Sequence, residues 1–191
     1  MLPLVIVGVE SGNESLDGEL DADRWGEIED IRQQDYIYQP DRWDDPRHAG
    51  RYDAHLTFAL DEAMSTALDH YGLRRGPVVV AGWSNGGVWA AHAFSRRTEV
   101  VRHSISMSPG AAAEAFAAGE LDAESGRSIH FSAGRYEPDF LKGTQNYWSA
   151  AREAGVPTDM VLYADGHNSA QWQHRLVTLL PELLKAEPPV D

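Results

Sequence analysis

The sequence predicts an α/β fold, a mostly parallel sheet with helices on both faces, and three observations carry that expectation. Apolar runs of strand length alternate along the chain with stretches whose apolar residues recur every three or four positions, and that order selects parallel pairing. The run Val78-Val79-Val80-Ala81 leads into Gly82-Trp83-Ser84-Asn85-Gly86-Gly87 and then into an Ala-rich helical pattern, which reads as strand, sharp turn and helix with a serine at the tip. The 191 residues, 42% of them hydrophobic, suffice for one domain with a sizeable core and no metal or disulfide support.

The absence of cysteine excludes structural disulfides, thiolate nucleophiles and Cys-zinc sites. A formal net charge of -14 argues against nucleic acid and anionic membrane as partners, because both would be repelled at long range. It modestly favours neutral or cationic substrates. Leu2 to Val9 is apolar but short, lacks a basic leader and runs into Glu10, so it reads as a strand rather than a signal peptide. No run reaches transmembrane length, so a soluble, cytoplasmic protein is expected.

Taken in order, residues 2 to 9 have the continuous apolar character of a parallel strand covered on both faces. Residues 10 to 34 are acidic and glycine-punctuated. Asp17, Glu19, Asp21 and Asp23 have calcium-like spacing but lack the EF-hand register, its central Gly and its terminal Glu, so a solvated loop is expected and no metal. Tyr36 to Pro40 reads as a short extended piece, and Pro40 and Pro46 keep the next segment out of regular structure. From Tyr52 to Tyr71 the residues Leu56, Leu60, Ala63, Ala67 and Tyr71 recur at helical spacing, widened by Met64 and Leu68, and Gly72 and Gly76 stop that helix before the elbow strand. The unit expected is β-α-β. Beyond the elbow helix, Val101 to Met107 is a strand, 111 to 119 a short helix, Ser128 to Ala133 a strand, Asp139 to Ala154 a helix, and Met160 to Ala164 the last strand. Trp172, Leu176, Leu179 and Leu183 then form one face of a closing helix in which Pro181 should cause a kink.

In such sheets ligands bind outside the carboxyl ends of the strands, where Ser84, Glu137 and His167 all fall. A serine hydroxyl is a weak nucleophile at neutral pH, so it needs an imidazole to take its proton and a carboxylate to hold that imidazole. Ser84, Glu137 and His167 follow the order nucleophile, acid, base. Asp139 and Asp165 remain alternatives for the acid, the first two residues beyond Glu137 and the second beside the histidine. The Asn85 N–H, at the helix start, is placed to meet negative charge on a carbonyl oxygen. Trp83 beside the nucleophile and Tyr136 beside the acid are candidate substrate contacts, while Arg135 suits a surface role and a contact equally. His48, His55 and His70 precede the elbow, His92 and His174 lie on helix faces, and His103 and His130 lie in or beside strands. Ser104, Ser106 and Ser108 lack the glycine setting and read as packing or turn residues.

These motifs resemble the enterochelin esterase and esterase D branch of the α/β-hydrolases. The resemblance rests on Val7-Gly8-Val9, Tyr36 with Pro40, Phe58 to Glu62, the elbow, Ser106-Met107-Ser108-Pro109-Gly110, Ala133-Gly134 with Glu137-Pro138, and Gly166-His167-Asn168 followed by Trp172. It implies a shortened α/β-hydrolase fold and a cofactor-free serine esterase acting on a small-molecule ester, with Ser84 as nucleophile, His167 as base, Glu137 as acid and Asn85 in the oxyanion hole. Members of that branch usually carry an earlier strand and loop that donate a second oxyanion N–H, upstream of the segment matching Leu2 to Val9. Its absence would leave another backbone N–H to substitute, another chain in a homo-oligomer to supply the strand, or catalysis weakened. The competing expectations are a non-catalytic binding or assembly module on the same fold, and an acyltransferase using the same triad.

Overall fold

The computed structural model describes residues 4–9, 32–38, 50–73, 76–117, 121 and 126–186, in two compact units, Met1–Arg75 and Gly76–Asp191. Among the described residues no helix is long and apolar enough to cross a membrane.

In the first unit the expected strand does not form over residues 4–9. They have no regular structure, and Leu4, Ile6 and Val7 are 52%, 78% and 40% exposed. A β-branched run becomes a strand only where a neighbour completes its ladder, and the described sheet is made entirely of later strands. The expected β-α-β unit therefore lacks its first strand over these residues. Residues 32–36 are a helical turn rather than loop and extended chain, with the Ile37 N–H donating to the Gln33 carbonyl at 2.8 Å. That turn buries Gln34 and Asp35, and Arg51 grips the Asp35 carboxylate through Nε at 2.8 Å and a second nitrogen at 3.1 Å. The acidic residues 17 to 23, Gln39, Pro40, Pro46 and His48 lie outside the described residues.

The expected helix is present as α1 (Arg51–Thr57), a π-helical stretch (Phe58–Ala63) and α2 (Met64–Tyr71), stopped by Gly72 at a φ of 63°. Tyr52, Leu56, Ala59 and Leu60 are buried, but α2 buries nothing fully and Tyr71 is 62% exposed. The extra residue of a π-turn rotates everything after it by about 100°, which takes Ala63, Ala67 and Tyr71 off the line set by Leu56 and Leu60.

The second unit follows the sequence pattern closely. Its sheet, β1 (Val78–Trp83), β2 (Val101–Met107), β3 (Ser128–Gly134) and β4 (Thr158–Tyr163), is parallel throughout and runs in chain order. The helices are α3 (Asn85–Arg96), α4 (Ala113–Ala117), α5 (Pro138–Glu153) and α6 (Ser169–Ala186), the last continuing through Pro181. Right-handed crossovers between strands in chain order send every connecting helix to one face, and among the described helices of this unit α6 is left to cover the other.

Strand β2 displays the division residue by residue. Ser104 and Ser106 donate to the Ala90 and Gly87 carbonyls of α3 at 2.9 and 2.7 Å, while Ile105 and Met107 pack with Trp172, Leu179 and Leu183 of α6. Beneath the connecting helices His92, Phe116, Phe131 and Tyr147 form a buried aromatic cluster, each large ring worth about 1.5–3 kcal/mol by burial. Arg127 answers the open end of α3: its guanidinium donates to the Phe94 carbonyl and, at 2.8 Å, to that of Val101, and it lies over the Phe94 ring.

His92 gives this core a pH dependence. Burial, which removes the charged form from water, pushes its pKa down from 6.5 to about 4, and its Nε2 lies 3.0 Å from the Tyr147 hydroxyl. Between those values the unfolded chain binds a proton that the folded chain refuses, so stability falls as pH falls through the window. Urea unfolding should lose on the order of 3 kcal/mol between pH 6.5 and pH 4 from this residue, and His92→Leu should flatten that part of the profile; an unchanged slope in the variant would assign the dependence elsewhere.

Candidate active site

Ser84 stands between β1 and α3 with φ 55° and ψ −126°, a backbone conformation that costs a non-glycine residue energy and persists only when its surroundings enforce it. Three hydrogen bonds do so: the Ser84 N–H donates to the Met107 carbonyl at 2.9 Å, and its carbonyl accepts from Gly87 and Val88 at 2.9 and 3.1 Å. A Cβ on Gly82 would collide with the Gly86 carbonyl, and one on Gly87 would lie 2.6 Å from the Met107 oxygen. A Cβ on Gly86 would meet nothing within 4 Å. Gly86 therefore contributes backbone to the turn, and Gly82 and Gly87 provide the clearance. Asn85 is the first residue of α3, where a backbone N–H has no intrahelical acceptor.

Glu137 and His167 come together. The Glu137 side chain is buried at 2% exposure, and its Oε2 lies 2.5 Å from His167 Nδ1, while the His167 side chain keeps 30% of its surface in solvent. The other carboxylate oxygen accepts from the Ser108 hydroxyl at 2.6 Å, the Gly134 N–H at 2.5 Å and the Gln171 amide at 3.3 Å. The His167 ring stacks on Phe140 with centroids 3.9 Å apart and meets the edge of Trp172 at 4.7 Å. Trp172 in turn stacks on Trp83, the residue before Ser84, at 5.8 Å and 13° between planes. Among the described residues no hydrogen bond joins Ser84 Oγ to His167.

The alternative acids are turned elsewhere. Asp165 accepts from its own loop, from Gly166 N–H at 2.8 Å and the Asn168 amide at 2.5 Å, and Asp139 is exposed in the first turn of α5. Trp83 is 50% exposed; Tyr136 is 74% exposed and is tied down through its backbone N–H, which donates to the Asp165 carbonyl at 3.0 Å. Sequence reasoning missed Gln171 and Phe140, and it read Ser108 as a packing or turn residue. Ser108 is fully buried, has a φ of 50° and binds the Glu137 carboxylate directly, so that reading is corrected. The one signal available was its place at the carboxyl end of β2.

The remaining described histidines have other partners. At the amino ends of the strands His103 Nδ1 lies 2.7 Å from Ser128 Oγ, which lies 2.8 Å from His130 Nε2, and His130 Nδ1 lies 2.7 Å from Asp159. Arg175 donates to the same Asp159 oxygen at 2.6 Å. Partial burial opposes ionisation of Asp159, but the hydrogen bonds from His130 and Arg175 outweigh it and hold the carboxyl near a pKa of about 2. This row ties β2, β3, β4 and α6 together at the end of the sheet away from Ser84.

The parallel sheet and the strained serine turn at its carboxyl edge make this an α/β-hydrolase fold of the kind seen in esterases. No protein-family profile and no curated protein matches the chain. Among solved structures it is similar to a ferulic acid esterase, at 18% identity over 69% of this chain and 61% of that one with a TM-score of 0.58. It is likewise similar to the enterobactin esterase of Shigella flexneri, at 22% identity over 74% of this chain and 40% of that one with a TM-score of 0.60. A third is a variant of Arabidopsis thaliana SOBER1, at 15% identity over 71% and 66% with a TM-score of 0.54. The chain spans less than two thirds of the length of the ferulic acid and enterobactin esterases.

The elbow geometry separates its glycines experimentally. Gly82→Ala should lower the urea-unfolding free energy by about 3 kcal/mol or more through overpacking against backbone that cannot yield, whereas Gly86→Ala should unfold within about 1 kcal/mol of wild type. Equal effects of the two substitutions would contradict the packing described here.

Proposed function

We propose that the chain is a serine carboxylic-ester hydrolase acting on a small or medium ester through Ser84, His167 and Glu137. The observation that carries this reading is the 2.5 Å hydrogen bond between buried Glu137 and His167, in loops at the same sheet edge as the strained Ser84 turn. The fold shared with esterases supports ester hydrolysis in general.

Glu137 accepts the Nδ1 proton, which leaves His167 Nε2 as the base. His167 takes the Ser84 proton as Oγ attacks the ester carbonyl. Glu137 stabilises the imidazolium, and the Asn85 N–H meets the charge on the carbonyl oxygen. The imidazolium then protonates the departing alkoxide, and His167 activates a water that hydrolyses the acyl-enzyme. In unliganded enzymes the nucleophile–base hydrogen bond is often long and tightens with substrate, so its absence here is compatible with this role. A net charge of -14 fits neutral or cationic esters in the aqueous phase better than nucleic acid or an anionic membrane. Trp83 at half exposure lies beside the nucleophile and is the side chain best placed to touch substrate.

Pre-steady-state turnover of p-nitrophenyl acetate and butyrate tests the reading. Wild type should show a burst of nitrophenol. Ser84→Ala should abolish it, with kcat down by at least about a thousandfold, and Glu137→Gln should lower kcat by about 10²–10⁴. A burst that survives Ser84→Ala would overturn the assignment, and a folded wild type without burst or turnover would favour a non-catalytic binding module on this fold.

A further inference from the structure

Ser108 ends β2 in the left-handed region, with φ 50°, a conformation that glycine would adopt at no steric cost. What serine adds at this buried position is its hydroxyl. That hydroxyl donates to Glu137 Oε1 at 2.6 Å and accepts from Trp172 Nε1 at 3.0 Å. The direction is forced: an indole N–H can only donate and an ionised carboxylate can only accept, so the hydroxyl proton lies on the Glu137 side. The Ser108 N–H, bonded to the Ser132 carbonyl at 2.7 Å, anchors the residue to β3.

Two parts of the site therefore hang on one oxygen. With Ser108, Gly134 and Gln171 all donating to Oε1, the other carboxylate oxygen is left for His167 Nδ1 at 2.5 Å. The Trp172 ring, fixed by the same hydroxyl, meets the His167 ring edge-on and stacks on Trp83 beside the nucleophile. We infer that Ser108 is a positioning residue of the proposed esterase: by clamping Glu137 and Trp172 together, it fixes which carboxylate oxygen faces His167 and holds the imidazole in register with Ser84. This inference rests on the esterase reading.

Ser108→Gly removes the hydroxyl but relieves the left-handed strain, which offsets part of the cost of the lost hydrogen bonds, so the variant should still unfold in one cooperative urea transition. Its kcat on p-nitrophenyl butyrate should nevertheless fall by about ten- to a hundredfold, with KM changed by less than about twofold. The acid limb of its kcat/KM profile should move upward, because a carboxylate deprived of one donor holds the imidazolium proton more strongly. The low-field proton resonance of His167 Nδ1–H, which needs no turnover, should shift in Ser108→Gly and vanish in Glu137→Gln. Wild-type kcat, acid limb and resonance in Ser108→Gly, with Ser84→Ala inactive, would overturn this inference and leave the esterase reading intact. Should Ser84→Ala retain activity, the esterase reading falls, and an unmoved resonance would then overturn the positioning role separately.

Discussion

A carboxylate taken out of water must have its lone pairs answered by donors, and the buried Glu137 side chain imposes that requirement on the carboxyl edge of the sheet. The donors come from different parts of the fold: Ser108 from the end of β2, Gly134 from the end of β3, His167 from the loop after β4 and Gln171 from the first turns of α6. An unpaired buried charge costs several kcal/mol, so these loops are fixed to one another through a single side chain. Gln171, which also donates to the Gly166 carbonyl, extends the same constraint to the loop carrying His167.

Sheet topology makes that convergence available. Strands in chain order place α3, α4 and α5 on one face, which leaves the C-terminal helix to cover the other. Helix α6 is apolar along Leu179 and Leu183, where it covers Ile105 and Met107, and polar at its start, where Gln171 reaches Glu137 and Trp172 meets His167. At the opposite end of the sheet Arg175 joins the row of Asp159, His130, Ser128 and His103, so the helix is pinned by polar contacts at the strands' amino ends. The strain at Ser84 and Ser108 is borne by this frame, since both turns hydrogen-bond to the ends of neighbouring strands.

From residue 76 onward the elements were legible because each signal is local. β-branched runs, glycines at turns and a leucine stripe specify strand, stop and helix without reference to distant residues, and Val101–Met107 appears with the limits its letters suggest. Leu4 to Val9 carries the same letters but no strand, because pairing belongs to a partner and is not written in the run itself. The π-turn at Phe58–Ala63 has no residue signature and displaced the apolar stripe beyond it. Within the site, the strand ends were enough to bring Ser84, Glu137 and His167 to one edge of the sheet, yet the choice among carboxylates depended on loop geometry. Asp165 is captured by its own backbone and Asn168, which composition cannot reveal. Ser108 read as a packing or turn residue because nothing in its letters signals a left-handed φ, which is expected of Gly or Asn, or a bond to Glu137.

The most direct test of a nucleophile elbow served by the Glu137–His167 pair is a crystal structure of the chain after reaction with a small alkyl fluorophosphonate. The expected result is a phosphorus–oxygen bond to Ser84 Oγ, a phosphoryl oxygen about 3 Å from the Asn85 N–H, and His167 Nε2 turned toward the adduct with its bond to Glu137 intact. An adduct on a different residue, or on Ser84 with its oxygen in solvent and His167 turned away, would contradict that assignment.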